Sequence, residues 1–272
     1  MAPLLALAAT MAMPALSMAM PALTTAGALT KPFPVHIARG DAIVGGTTAS
    51  LGEFPYIVSL SYSGSHFCGG VLLNAYTVLT AAHCSVDYGA SSVKVRAGTL
   101  TWASGGTQVG VSSIVVHPSY NSDTTDNDIA LWHLSSPLAA SSTIGYATLP
   151  VQGSDPVVDT TTTTAGWGLL SESGSTLPAT LRKVSVPVIS RATCRAEYGT
   201  SAVTTNMFCA GLAAGGKDSC SGDSGGPIID TSTGVLLGLV SWGQGCAEAG
   251  YAGVYSRLGN YVTYVTSNLW TS

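Results

Sequence analysis

Residues 160–168 read TTTTTAGWG, and the five threonines can be taken either as low-complexity sequence or as an extended strand. Threonine is β-branched and fits a pleated backbone, which favours the strand. That reading decides the fold class, because runs of similar character recur on both sides. PYIVSLSY (55–62), TVLT (77–80), VKVRAG (93–98), SSIVVH (112–117) and IALWHL (129–134) precede it; KVSVPVI (183–189), GVLLGLVSW (234–242) and GVYSR (253–257) follow it. Clusters of Gly, Ser, Asn and Asp separate the runs, as expected of antiparallel strands in a sandwich or barrel. One helix is expected, over NYVTYVTSNLW (260–270), where Tyr261, Val265 and Leu269 recur at four-residue spacing. The softer stretch LPVQGSDPVVD (149–159) divides the strand runs into two comparable halves and reads as a connection between two barrels. No internal repeat is legible.

With 272 residues, 46% apolar and 9% charged, the chain can bury a sizeable core, and disorder is excluded. The formal charge of -4 is spread without basic runs, which excludes a nucleic-acid partner. The first thirty residues carry no charged side chain and are rich in Ala, Leu and Met. Pro14 and Pro21 interrupt that run, and small residues such as SMA, ending at Ala19, offer a cleavage site. These features point to an export signal over residues 1–19 and away from a membrane anchor, although the usual basic start is missing.

Six cysteines, at 68, 84, 194, 209, 220 and 246, follow an export signal, which argues for three disulfides. Six cysteines can pair in fifteen ways, and spacing does not choose among them. Zinc is the competing reading, since His66 lies two residues before Cys68 and His83 adjoins Cys84, but no pair of Cys-x-x-Cys ligands accompanies them.

Ser224 stands in GDSGGP (222–227), where glycines on both sides permit a tight backbone that exposes a hydroxyl and turns amide N–H groups outward. A serine needs a nearby base, and that base a third group to orient it. His83, in VLTAAHC (78–84), and Asp128, in DNDIALWHL (126–134), supply the two residue types. Alone, each would be read as a core histidine or a turn-forming aspartate.

IVGG (43–46), TAAHC (80–84), DIAL (128–131), GWG (166–168), GDSGGP (222–227) and SWG (241–243), in this order, resemble the trypsin-type serine proteases. The likeness runs from Ile43 to the C-terminus, and details such as SRATCRAEYGTSA (190–202) are most similar to the secreted fungal trypsins. The resemblance implies an all-β fold of two packed, six-stranded antiparallel barrels with a short C-terminal helix and the active site between them. It implies a secreted, extracellular serine endopeptidase made as a zymogen, with signal peptide, a propeptide over residues 20–42 and a protease domain over 43–272 whose barrels meet near 150–159. It gives His83, Asp128 and Ser224 the catalytic roles and makes the N–H groups of Gly222 and Ser224 the oxyanion hole. Asp218, Gly243 and Gly253 become the floor and walls of the primary specificity pocket, Tyr198 its support, and Ser241 and Trp242 further substrate contacts. Cleavage after Arg or Lys is then expected. Ile43, once freed, would present its amine to Asp223. The pairings implied are Cys68 with Cys84, Cys194 with Cys209, and Cys220 with Cys246.

The expected partners are protein or peptide substrates and protein protease inhibitors, met by a monomer without cofactor or metal. His36, His66, His117 and His133 are given structural or surface roles. A protease of chymotrypsin-like or elastase-like specificity would need an uncharged residue at 218. A catalytically silent homologue acting as a binding protein would ordinarily lose part of the Ser, His and Asp set, which is complete here.

Four departures from the family pattern stand out. Ile43 follows ARGDA, so self-cleavage after Arg39 would leave Gly40, Asp41 and Ala42 attached, and another peptidase is expected to free Ile43. No Asp or Glu lies between Asp87 and Asp123, so the calcium loop of animal trypsins is not expected. Ser221 replaces a frequent glutamine beside the nucleophile. Removing residues 1–42 takes away Lys31, Arg39 and Asp41, leaving 8 basic and 13 acidic groups, a formal charge of -5 and few sites for autolysis.

Overall fold

The threonine run is a strand buried on both faces, and its hydroxyls explain how that is tolerated. A buried, unbonded hydroxyl costs about 1–3 kcal/mol. Here Thr162 Oγ1 donates to the Val186 carbonyl at 2.6 Å and Thr164 Oγ1 to that of Pro227 at 3.0 Å, while Thr163 Oγ1 meets the Ser185 and Thr231 hydroxyls at 2.9 and 2.8 Å. Thr162, Thr163 and Thr164 thus sit in a core strand with each hydroxyl bonded to a neighbour, while Thr161 is exposed.

In this computed structural model residues 43–272 are described, and the signal-peptide and propeptide assignments fall outside them. The strands are β1 (Thr47–Thr48), β2 (Ile57–Tyr62), β3 (Ser65–Leu72), β4 (Thr77–Thr80), β5 (Val93–Ala97), β6 (Thr107–Val116), β7 (Ala130–Leu134), β8 (Thr161–Gly166), β9 (Arg182–Ile189), β10 (Met207–Ala210), β11 (Pro227–Asp230), β12 (Leu236–Trp242) and β13 (Gly253–Arg257). Helix α1 (Arg191–Tyr198) lies between β9 and β10, and α2 (Val262–Ser267) follows β13. Strands β2-β3-β4-β7-β6-β5 close into a first six-stranded antiparallel barrel. Strands β9-β10-β13-β12-β11-β8 form a second, closed by the β8–β9 pairing. The two-residue β1 adds to β9, with Thr47 opposite Lys183 and Thr48 opposite Arg182.

Alternation of side chains packs each barrel. In β5, Val93, Val95 and Ala97 are buried while Lys94 is exposed. Val58, Leu60, Val71, Val78 and Leu131 fill the first barrel; Val186, Val188, Phe208, Ile228, Val240 and Tyr255 form the core of the second. The C-terminal residues return to the first barrel, where the Trp270 ring stacks on His133 at 4.6 Å and its carbonyl accepts from Asn74 Nδ2 at 2.9 Å.

Strands β3, β10 and β11 and helix α1 are not among the expected elements. Strand β3, SHFCGGVL, carries Gly69 and Gly70 in its middle and so lacks a β signature. Those glycines are there for contact: a Cβ at Gly69 would sit 2.9 Å from Gly226 Cα, where the second barrel approaches. Helix α1 buries only Cys194 and so shows no apolar periodicity; Ser190 caps it, Oγ accepting the Thr193 N–H at 2.9 Å. The expected C-terminal helix is shorter than its apolar spacing, because a 3-10 turn over Leu258–Asn260 takes up its start and Asn268 ends it.

Candidate active site

Two oxygens of one carboxylate govern His83. Asp128 Oδ2 accepts from His83 Nδ1 at 2.8 Å, and Oδ1 accepts the His83 backbone N–H at 2.9 Å. A carboxylate can only accept, so Nδ1 carries the proton and Nε2 is left with a lone pair. Asp128 is 2% exposed and is held from the second barrel as well. Ser241 Oγ donates to its Oδ2 at 2.5 Å, and Ser256 Oγ to its carbonyl at 2.8 Å. Ser241, expected only as a substrate contact, therefore also anchors Asp128.

Ser224 and Asp218 line a single cavity of about 140 Å³, together with Ser219, Ser221, Ser241, Trp242, Gly243 and Gly253. No hydrogen bond joins His83 and Ser224, a contact that is commonly long until substrate is bound. A larger hollow, about 460 Å³, opens beside Gly45, Glu53, Lys183 and Lys217, but none of the expected catalytic residues line it. The smaller cavity is the one that Ser224 lines.

Asp218 is 6% exposed, and its carboxylate accepts the N–H groups of Ser219 at 2.8 Å and Ala247 at 3.1 Å. Burial is the main influence and pushes its carboxyl up to about 6, against the pull of those two amides. A Cβ on Gly253 would lie 2.7 Å from Asp218 Oδ1 and 3.0 Å from Tyr255 Oη, so glycine keeps the floor clear. Tyr198 braces the opposite wall: its hydroxyl donates to the Ala252 carbonyl at 2.7 Å and accepts from Gln244 N–H at 3.2 Å, and its ring meets Trp242 edge-on.

Asp223 is wholly buried. Its Oδ1 accepts from Gly168 N–H at 2.7 Å and its Oδ2 from Cys220 N–H at 2.9 Å. Burial pushes its carboxyl up to about 7, and these amide bonds oppose the rise. GWG is explained by this packing, since a Cβ at Gly166 or Gly168 would fall 2.1 Å from Oδ1 or 2.4 Å from Oδ2. Ile43 is also fully buried, and the Val44 carbonyl accepts the Asp218 N–H at 3.2 Å, so IVGG is docked on the segment that carries both aspartates.

Gly222 adopts φ +99°, a conformation that side chains resist, and its carbonyl accepts from His66 Nε2 at 2.9 Å. Since Nε2 must carry the proton, Nδ1 accepts from Ser59 Oγ at 2.7 Å. Burial holds this imidazole down to about 4, so it is a neutral prop for the Gly222 peptide. The structural role expected of His66 is thus a specific one, a bond to the Gly222 carbonyl that the sequence did not reveal.

The sulfurs are joined as Cys68–Cys84, Cys194–Cys209 and Cys220–Cys246. Cys68, His83 and Cys84 cluster closely, but the disulfide removes the thiolates that zinc would require. Among the described residues no helix is long and apolar enough to cross a membrane.

Two antiparallel barrels with serine, histidine and aspartate gathered at their seam are the layout of a chymotrypsin-fold serine protease. A family model described as Trypsin matches residues 43–265. The chain is 49% identical to Trypsin Blo t 3 of Blomia tropicalis, over 82% of this chain and 84% of that protein. It is 44% identical to Trypsin beta of Drosophila erecta (83% and 88% covered) and 42% identical to Trypsin of Sus scrofa (84% and 96%). The chain belongs to the trypsin family of serine endopeptidases.

Proposed function

We propose that this protease is exported as an inactive precursor and that its mature form, beginning at Ile43, cleaves polypeptides after Arg or Lys. The observation that carries the reading is the buried Asp218 carboxylate sharing a cavity with Ser224. A carboxylate in so dry a place favours a cationic guest, because an apolar one would bury it unpaired. The glycine at 253 leaves room for a long side chain to reach it.

In this reading Ser224 Oγ attacks the scissile carbonyl as His83 Nε2 takes its proton. The Asp128 carboxylate keeps His83 in the required tautomer and stabilises the imidazolium. The N–H groups of Gly222 and Ser224 receive the oxyanion, and His66 fixes the Gly222 peptide from behind. His83 then protonates the departing amine, and water releases the acyl group by the reverse proton path.

Export supplies the oxidising setting that three disulfides need. Residues 1–19 serve as signal and 20–42 as propeptide. Cleavage after Ala42 by another peptidase, or trimming to that point, frees the Ile43 amine to pair with Asp223, whose two hydrogen bonds in the intact chain come from backbone amides. The enzyme works as a monomer on protein substrates and meets protein inhibitors at the same cleft.

Secreted, N-terminally sequenced protein assayed on matched substrates that differ only in Arg, Lys, Phe or Ala before the scissile bond tests the proposal. The Arg and Lys substrates should be cut at least about 100-fold faster, the scale of a specificity difference near 3 kcal/mol. Equal rates, or an active enzyme that begins at Gly40, would overturn it.

A further inference from the structure

Asp128 ends a long connection between β6 and β7, yet the two residues before it are among the most heavily bonded in the molecule. Asp126 Oδ1 accepts from Thr204 Oγ1 at 2.7 Å and from Asn206 Nδ2 at 3.1 Å. Its Oδ2 lies 3.2 Å from both Asn206 Nδ2 and Asn127 Nδ2. Asn127 Oδ1 accepts from the Tyr261 hydroxyl at 3.2 Å, and Asn206 Oδ1 accepts from Asn260 Nδ2 at 3.0 Å. Thr204 and Asn206 precede β10, and Asn260 and Tyr261 lead into α2, so these four partners come from beyond β9, while Asp126 and Asn127 belong to the first-barrel connection, where Asn127 Nδ2 also donates to the Ser119 carbonyl at 3.0 Å.

The backbone here is also unusual. Asn127 sits at φ +55°, in the left-handed region, and its carbonyl accepts the Ile129 N–H at 2.9 Å, so the chain turns sharply around Asp128. Such a conformation persists where surrounding contacts over-determine it. The bonds from Ser241 and Ser256 aim the Asp128 side chain and hold its carbonyl, but neither reaches the turn that precedes it. His83 and Asp128 come from the first barrel and Ser224 from the second, so the distance across the seam is set by whatever joins the barrels at this end.

We propose that Asp126 and Asn127, gripped by Thr204, Asn206, Asn260 and Tyr261, are positioning residues: an inter-barrel clamp that sets Asp128, and through it His83, against Ser224. The inference rests on the reading of Ser224, His83 and Asp128 as the reacting groups. A displacement near 1 Å in such a group can lower a rate about 100-fold, so a clamp of this kind acts on turnover while leaving the specificity pocket as it was.

The test uses the full chain, activated to Ile43 and counted by active-site titration, at a temperature where circular dichroism finds every variant folded. Asp126→Asn keeps the shape but replaces one acceptor oxygen by a donor, and should lower kcat about 10-fold with KM within about 2-fold. Asn206→Asp sets two carboxylates face to face and should lower kcat further. The double variant Asp126→Asn/Asn206→Asp restores a donor–acceptor pair in reversed polarity and should return kcat to within about 3-fold of the parent. The downfield proton resonance of His83 Nδ1–H should shift in both single variants and recover in the double one. Unchanged kcat in the single variants, equal changes in kcat and KM, or a double variant no better than the worse single would overturn the clamp. Asp128→Asn is the control for the underlying reading: if it retains full activity that reading falls, whereas its inactivity beside unaffected Asp126 variants sinks the clamp alone.

Discussion

Asp218 and Asp223 lie in the same short loop, and their surroundings are built differently. Asp218 accepts two amide N–H groups and opens onto a cavity. Asp223 also accepts two amide N–H groups, but Gly166 and Gly168 close over it and leave it no exposure at all. Burial pushes the first carboxyl up to about 6 and the second to about 7. Two carboxylates left short of charge can be put to different ends. In the function proposed above, the one that faces open space takes a cation that comes and goes with each turnover, and the one packed shut takes a cation delivered once.

The comparison breaks most sharply at the pocket floor. Asp218→Ser should lower kcat/KM for Arg substrates about 10³-fold while Phe or Leu substrates change little, a loss of about 4 kcal/mol and so within the roughly 3–5 kcal/mol for removing one partner of a buried pair. Retained preference for Arg would mean the selection lies elsewhere. Asp223→Asn should lower kcat/KM about 10²–10³-fold for every substrate alike, since it leaves the Ile43 amine buried without a counter-charge. Substrate-dependent loss in this variant would place Asp223 with the pocket instead.

A smaller effect should appear in the stability of the uncleaved chain, made inert by Ser224→Ala. Unfolded, both aspartates ionise near pH 4, so between there and pH 6 to 7 the folded form binds more protons and loses stability as pH rises. His66, held down to about 4, works the other way up to about pH 6.5, so the Asp223 contribution is best isolated by difference. Relative to the parent, Asp223→Asn should gain several degrees in Tm between pH 5 and 8, each kcal/mol being worth about 2–4 °C in a domain of this size. A constant gap would show that Asp223 is ionised throughout. The smallest effect is expected from chelation: EDTA should leave the Tm of the mature enzyme within about 1 °C, because the stretch from Tyr88 to Ser122 offers no carboxylate to a calcium ion.

How far these features could be read in advance depended on whether their cause was local. The threonine strand announces itself through β-branched side chains, and GDSGGP through a backbone that only glycines permit. Helix α1 was invisible because one cysteine is all it buries, so its capping serine was the only clue. Strand β3 was hidden by its paired glycines: Gly69 lets the second barrel approach, and Gly70 leaves room for Val58 and Val78 of the first. His66 could not be linked to the oxyanion loop, since the Gly222 carbonyl it supports lies 156 residues further on. The Asp126 clamp was equally unreadable, since Asp126 looks like an ordinary loop residue until Thr204, 78 residues away, donates to it.

Two flanking segments cross over: β1 extends the second barrel, whereas Trp270 is fastened to the first through His133 and Asn74. Each barrel is therefore belted by a segment that belongs in sequence to the other half. Neither barrel has its full set of contacts without a segment from the other half of the sequence. The packing of the first barrel is complete only once the segment around Trp270 has come back to it.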